Sequence, residues 1–203
     1  MRHCRLACVG AMTLLVGCAP DLRDRLTRDD GDGEVETVQE GVLDTGADLT
    51  IPQEVTVDST SETDWHLYDF ERQGLVDEDL PWDIRLQRYR IYLNGGVNGD
   101  GGVEGVVLDG VAFDDVTEAD VPPAGDPAWR TDDPDADGDG EDETLFIDWF
   151  DYNSSTHILT PKLRTTLLRT VEGAVVKVEI VDYYDDVGTS GYLSFRWAEL
   201  SLD

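Results

Sequence analysis

"KLRTTLLRT" (162–170) and "AVVKVEIVDYY" (174–184), with Glu172 and Gly173 between them, form the clearest structural signal in the chain. Both runs are rich in β-branched residues, leucine or tyrosine. Side chains of this kind suit the pleated surface of a strand, and glycine suits a tight turn. The two runs therefore predict an antiparallel β-hairpin.

Segments on both sides of this hairpin have the same character. After it, "YLSFRWAELSL" (192–202) alternates Leu193, Phe195 and Trp197 with polar or smaller residues, as expected of a half-buried strand. No segment beyond the first eighteen residues has the apolar periodicity of an amphipathic helix. The sequence therefore predicts an all-β fold, with a single antiparallel β domain over residues 56–203. Its further predicted strands are "EVTVDS" (54–59), "DWHLYDFE" (64–71), "VEGVVL" (103–108), "LFIDWFDY" (145–152) and "HILTP" (157–161).

"DIRLQRYRIYL" (83–93) is predicted as one longer strand whose apolar face changes along its length. Ile84 and Leu86 share one face, whereas Ile91 and Leu93 share the other. Because side chains alternate strictly along a strand, we expect a bulge or a bend near residues 87–88. The segment 112–129 is predicted as a long loop.

The first eighteen residues, "MRHCRLACVGAMTLLVGC", have a short basic head and an apolar run that is too short to cross a membrane. The run ends in Leu-Val-Gly-Cys, which resembles the lipobox of bacterial lipoproteins. The resemblance implies a signal peptide over residues 1–17 and a lipid on Cys18. Ala19 after this cysteine favours the bacterial outer membrane, at its periplasmic or its cell-surface face.

The chain is strongly acidic, with 45 acidic and 15 basic residues and a formal net charge of −30. Loss of the signal removes Arg2 and Arg5 and makes the charge −32. Such a surface repels nucleic acid and anionic lipid headgroups, so a lipid anchor is needed to hold the protein at a membrane. Residues 18–55 are rich in acidic residues, glycine and threonine, which is typical of a flexible tether.

Several short motifs, in order, resemble the HmuY family of haem-binding bacterial lipoproteins over residues 60–202. They are "WDIRLQR" (82–88), "NGG" (94–96), "GGVE" (101–104), "WFDY" (149–152) followed by Thr156 and His157, "RT" (169–170) leading through Gly173 and Lys177 to "YY" (183–184), and "GTSG" (188–191) leading to "FRW" (195–197). The resemblance implies an all-β fold that holds haem through two axial side chains, either two histidines or two methionines. It also implies delivery of haem to a TonB-dependent outer-membrane receptor.

The axial ligands of the family carry over only in part. Met1 and Met12 are lost with the signal, which excludes a methionine pair, and the remaining histidines are His66 and His157. His157 lies where the family places one ligand, whereas His66 matches no ligand of the family. The second ligand is expected near residues 117–130, which contain no histidine, methionine, tyrosine or lysine. Three alternatives follow: His157 alone, His157 with His66, or no haem site.

Arg85 and Arg88 have two interpretations. A guanidinium group suits a haem propionate, which it binds through paired hydrogen bonds. In a chain with 45 acidic residues, the alternative is that Arg88 pairs with aspartate or glutamate on a neighbouring strand of the β scaffold and that Arg85 is solvated.

"DDPDADGDGEDE" (132–143) resembles a calcium loop, because it contains the run D-x-D-x-D-G in two frames. The twelfth position of these frames is Thr144 or Phe146 rather than glutamate, which excludes an EF-hand. A weaker calcium loop and a hydrated acidic insertion both remain as hypotheses. The candidate ligands are Asp133, Asp135, Asp137, Asp139, Glu141 and Glu143.

No catalytic motif points to an enzyme, since G-x-S-x-G, H-E-x-x-H and a phosphate-binding loop are all missing from the sequence. Cys4, Cys8 and Cys18 leave only the lipidated cysteine after cleavage, so no disulfide is expected. The first hypothesis is a haem-binding outer-membrane lipoprotein that captures and delivers haem. The second is a non-enzymatic surface lipoprotein of the same fold with a structural or interaction role.

Overall fold

Extended backbone dominates the computed structural model, which describes residues 48–135, 138 and 140–202. No α-helix occurs in these residues, and short 3-10 turns lie at Gly96–Asn98, Phe113–Asp115 and Glu118–Asp120. None of the described segments is a helix able to cross a membrane. The predicted all-β fold is therefore confirmed. In chain order the strands are β1 (Gln53–Asp58), β2 (His66–Asp69), β3 (Gly74–Val76), β4 (Ile84–Gln87), β5 (Arg90–Leu93), β6 (Glu104–Asp109), β7 (Phe150–Asn153), β8 (Ile158–Pro161), β9 (Arg164–Arg169), β10 (Val175–Tyr184) and β11 (Ser190–Glu199).

The strands form three antiparallel sheets. Five strands pair in the order β1-β11-β10-β9-β6, four pair in the order β3-β2-β4-β5, and β7 pairs with β8. The predicted hairpin is β9 and β10, which pair from Val175 opposite Arg169 to Val178 opposite Thr166. Its turn contains Gly173 at φ 94°, a left-handed conformation that glycine adopts at little cost.

The main core lies between the five-stranded and the four-stranded sheets, where alternate apolar side chains of each face inward. The Phe195 ring lies 5.2 Å from that of Tyr68, and the Trp197 ring lies 5.1 Å from that of Phe70, both edge to face. The indole nitrogen of Trp197 donates to the Tyr68 hydroxyl at 3.1 Å. Burial raises the pKa of Tyr68 to about 12, so this hydroxyl stays neutral inside the core.

The prediction of one bent strand over residues 83–93 was wrong, because β4 and β5 pair with each other across a turn at Arg88 and Tyr89. Residues opposite each other in a hairpin point to the same face, so Leu86 and Ile91 both reach the core. The change of apolar face in the sequence thus marks a reversal of the chain. Arg88 has φ 52°, and its amide donates to the carbonyl oxygen of Ser59 at 2.7 Å.

The predicted loop over residues 112–129 covers the outer face of the five-stranded sheet. Val116 and Trp129 pack there with Leu167, Val175 and Leu200 in a second buried cluster. This sheet therefore has apolar side chains buried on both of its faces, and the loop contributes to the stability of the domain.

Candidate functional site

His157 lies in the turn that joins β7 to β8. The predicted strand over residues 145–152 begins only at Phe150, because residues 144–149 form turns held by backbone hydrogen bonds. The Asn153 side chain accepts from the amides of Ser155 and Thr156, and the His157 amide donates to the Asn153 carbonyl at 2.7 Å. His157 has φ 59° and is exposed. The turn therefore presents its imidazole to solvent.

A tyrosine orients this imidazole. The hydroxyl of Tyr152 lies 2.5 Å from Nδ1 of His157. When Nδ1 carries the proton, it donates to this hydroxyl and the lone pair of Nε2 is available for a metal. This is the arrangement in which histidines usually bind metals, with one ring nitrogen bonded to the metal and the other held by the protein.

Exposed apolar side chains lie on both faces of the hairpin. Tyr152 is 54% exposed on the face that also carries Leu159, and Ile158 is 46% exposed on the other face. The Leu159 amide donates to the Tyr184 hydroxyl at 2.9 Å, which ties β8 to the last residue of β10. The hairpin thus offers apolar surface beside an oriented imidazole, and a flat apolar ligand would cover that surface.

The other predicted ligand positions belong to other elements of the fold. His66 is the first residue of β2 and pairs with Leu86 in the four-stranded sheet. In segment 117–130, Trp129 packs in one cluster with Val175, the first residue of β10. The hairpin that carries His157 is instead bonded to Tyr184, the last residue of β10. A strand of 10 residues spans about 30 Å. His157 is thus the one candidate ligand that belongs to this hairpin, and pairing with His66 stays a prediction.

The two candidate propionate ligands lie in different surroundings. The Arg88 guanidinium donates to the carbonyl oxygen of Thr60 at 3.1 Å and to the Ser190 hydroxyl at 3.2 Å. Arg85 lies on the outer face of the four-stranded sheet, 4.6 Å from the ring of Trp65. Neither guanidinium forms an ion pair within the described residues, so the expected pairing of Arg88 with an acidic side chain was wrong. The charge of Arg85 does interact with the buried carboxylate of Asp132. The propionate role of both arginines stays a prediction.

The acidic loop is closed by its own backbone. Asp133 and Glu143 exchange backbone hydrogen bonds of 3.1 and 3.0 Å, and the Asp135 carboxylate accepts from the amides at positions 138 and 140. Glu141 pairs with Arg90 at 2.7 Å. Asp137 and Asp139 lie outside the described residues. The calcium hypothesis stays a prediction.

Asp132, which no sequence pattern indicates, is a buried carboxylate at the start of this loop. It accepts from the Leu93 amide at 2.8 Å, the Leu145 amide at 2.9 Å and the Asn98 side chain at 3.2 Å. Burial raises the pKa of Asp132, against the opposing effect of these donors. Asp132 therefore joins β5 to the two ends of the acidic loop.

Three further carboxylates were also missed. Those of Asp69, Glu71 and Asp83 lie within 4.8 Å of one another, and they are the one such group of three in the described residues. Asp83 is buried and accepts from the amides of Phe70 at 2.9 Å and Val171 at 2.8 Å. Burial raises the pKa of Asp83 to about 7, and the neighbouring carboxylates add to the shift. No local sequence pattern indicates this group, because its donors come from distant segments.

Comparisons with known proteins bear on the fold. No protein-family model and no curated protein matches the sequence. A solved structure of a Bacteroides fragilis protein described as a lipoprotein has a TM-score of 0.57 and 20% identity, and the match covers 76% of this chain and 92% of that one. A Bacteroides vulgatus protein described as HmuY-like and haem-binding has a TM-score of 0.55 and 22% identity, over 75% and 94% of the two chains. The apo HmuY analogue of Tannerella forsythia has a TM-score of 0.54 and 16% identity, over 75% and 97%. These likenesses show that the chain has an HmuY-like fold.

Proposed function

We propose that this protein binds haem and that His157 is the axial ligand, through Nε2. The observation that carries the proposal is the 2.5 Å contact between the Tyr152 hydroxyl and Nδ1 of an exposed imidazole. The HmuY-like fold supports it, because a protein of similar fold is described as haem-binding.

The residues at the hairpin fit one axial ligand. Haem supplies an iron that accepts a nitrogen donor, and Nε2 faces away from the bond that holds Nδ1. The exposed ring of Tyr152 lies beside the imidazole and would be covered by the macrocycle. His66 lies in another sheet, and the proposal takes His157 as the single protein ligand.

The proposed setting is the bacterial outer membrane, where a lipid on Cys18 anchors the chain and haem passes to a TonB-dependent receptor. The resemblance of residues 15–18 to a lipobox supports the anchor. So does the similar fold of a protein described as a lipoprotein. With this anchor, the β domain captures haem at the membrane surface.

A haemin titration of the full chain, followed in the Soret region in the oxidised and reduced states, tests the proposal. We expect saturable binding with the spectrum of a five-coordinate haem. His157→Ala should weaken binding on the order of a hundredfold, because it removes the ligand. His66→Ala is the matched control and should leave the affinity unchanged.

Two results would contradict this function. One is unchanged affinity in His157→Ala, which would remove His157 from the site. The other is no saturable change although circular dichroism shows a folded β protein. The second result would favour a surface lipoprotein that has this fold and a structural or interaction role.

A further inference from the structure

The outer face of the four-stranded sheet contains a cleft of about 610 Å³, a volume in the range of small-molecule sites. Leu67 of β2 lies between Val76 of β3 and Arg85 of β4 across the sheet and forms the floor. Trp65 and Trp82 also line the cleft. Its walls are therefore aromatic and its floor is apolar.

Arg85 supplies hydrogen-bond donors that the protein leaves unused. Its guanidinium lies 4.6 Å from the ring of Trp65 and 5.2 Å from that of Tyr92, and Nη2 donates to Asn98 at 2.8 Å. Its Nε is buried without a partner, and the guanidinium forms no ion pair within the described residues. An unsatisfied buried donor costs free energy, which a bound acceptor would recover by drawing the guanidinium toward it.

The opposite rim supplies acceptors. Asp77 and Glu78 line the cleft and are exposed, and in the described part of the chain their carboxylates form neither a hydrogen bond nor an ion pair. Trp82 makes no ring–ring contact there either, and its nearest cation is Arg85 at 6.0 Å. One cleft thus combines a free indole face, unpaired carboxylates and an unpaired guanidinium.

The cleft offers hydrogen-bond acceptors at one rim, the carboxylates of Asp77 and Glu78, and a guanidinium donor, Arg85, at the other. The carboxylates repel an anion. A neutral sugar ring satisfies both ends, because its hydroxyl groups donate to carboxylates and accept from a guanidinium. Its C–H face stacks on an indole. We propose that this cleft binds a neutral saccharide of one or two rings, with Trp82 as the stacking platform and with Arg85 and Asp77 as hydrogen-bonding groups.

Titration of the full chain with maltose, cellobiose, lactose and N,N′-diacetylchitobiose, followed by tryptophan fluorescence and calorimetry, tests this proposal. We expect saturable binding of at least one disaccharide at millimolar concentration. Trp82→Ala should weaken it about tenfold, since stacking is lost. Asp77→Asn should weaken it about threefold, because a charged acceptor is lost. Asp79→Asn, in the same loop but outside the cleft, is the matched control and should change nothing.

Three outcomes would overturn the saccharide site: no saturable binding of any of the four disaccharides, binding that Trp82→Ala leaves unchanged, or saturable binding of benzoate or choline in their place. The Asp77→Asn variant keeps the side-chain shape, so it remains informative if Trp82→Ala is poorly folded. The cleft lies on a different sheet from His157, so haemin binding by Trp82→Ala reports separately on the proposed haem function.

Discussion

The ammonium group of Lys177 lies 2.9 Å from the carbonyl oxygen of Phe113 and 4.4 Å from the centre of its ring. The same group donates to the Val116 carbonyl at 2.9 Å. Burial lowers the pKa of Lys177, so these contacts hold a partly desolvated charge. A single lysine on β10 thus fastens the covering loop to the outer face of the five-stranded sheet.

Lys177→Met should destabilise the domain by about 2–3 kcal/mol, because two carbonyl oxygens lose a charged donor. Chemical denaturation measures this, and hydrogen exchange should show faster opening of residues 113–121. The control is Lys162→Met, which removes a partly exposed lysine whose partners, Asp148 and Asp151, are both exposed, and it should cost less than about 1 kcal/mol. Equal losses in the two variants would contradict the fastening role of Lys177.

The carboxylates of Asp69, Glu71 and Asp83 predict a pH-dependent stability. Arg72 pairs with Asp69 at 2.5 Å and with Glu172 at 3.2 Å, and Glu71 accepts from the Thr170 hydroxyl at 2.5 Å. The pKa of Asp83 is about 7 in the folded protein against an ordinary value of 3.8, so the folded state binds its proton more tightly. The stabilisation from this proton is complete below pH 4 and is lost as the pH rises to about 7. We expect the free energy of unfolding to fall by about 4 kcal/mol from this group over that window, measured by urea denaturation at fixed ionic strength.

Glu71→Gln distinguishes the pH dependence caused by these three carboxylates from the pH dependence caused by repulsion among all acidic residues of the chain. Burial raises the pKa of Glu71, and the neutral amide removes its charge while keeping the acceptor for Thr170. The variant should be about 1 kcal/mol more stable than the parent at pH 8, with a shallower pH dependence. The more exposed Glu172→Gln is the matched control and should follow the parent profile. Parallel pH profiles for Glu71→Gln and the parent would rule out this origin.

The parts of the fold that could be predicted are those with local patterns. The hairpin of β9 and β10 has alternation and a glycine turn, and its pairing is as expected. Residues 83–93 were misjudged because Arg88 and Tyr89 are not typical turn residues, and the left-handed backbone of Arg88 is held by Ser59, which is remote in sequence. Buried Asp83 escaped notice for the same reason, since its donors at Phe70 and Val171 come from separate segments.

The candidate site also combines a residue that the sequence indicates with contacts that depend on the fold. His157 was singled out through the resemblance to a family, but its contact with Tyr152 depends on how the turn folds back on β7. The cleft around Arg85 needs the pairing of β3, β2 and β4, which no single segment contains. Functional surfaces built across strands are therefore visible only once the register is known.

Tyr152→Phe tests the orientation of the proposed haem ligand. The phenyl ring keeps the packing but removes the hydroxyl that holds Nδ1 of His157. We expect haemin affinity to fall about tenfold, less than for His157→Ala, while thermal stability is unchanged. Tyr89→Phe, at another exposed tyrosine, should bind haemin like the parent. An affinity for Tyr152→Phe equal to the parent value would mean that the hydroxyl does not position the imidazole.

Asp132→Ala should be among the most destabilising single substitutions in the domain. It leaves the amides of Leu93 and Leu145 and the side chain of Asn98 without their acceptor, and buried donors without partners carry a large penalty. The expected loss is about 3–5 kcal/mol in chemical denaturation. Asp133→Ala is the matched control, because the described hydrogen bonds of Asp133 are made by its backbone, and it should cost less than about 0.5 kcal/mol.

Asp132→Asn covers the case in which the alanine variant does not fold. The amide keeps one oxygen acceptor but turns its nitrogen toward a backbone donor, so its stability should lie between those of the parent and the alanine variant. Because Asp132 joins β5 to both ends of the acidic loop, hydrogen exchange at Leu93 and Leu145 should accelerate in parallel with the loss of stability. If Asp132→Asn and Asp133→Ala were equally stable and neither amide exchanged faster, the three hydrogen bonds to Asp132 would contribute nothing to holding this loop on the sheet.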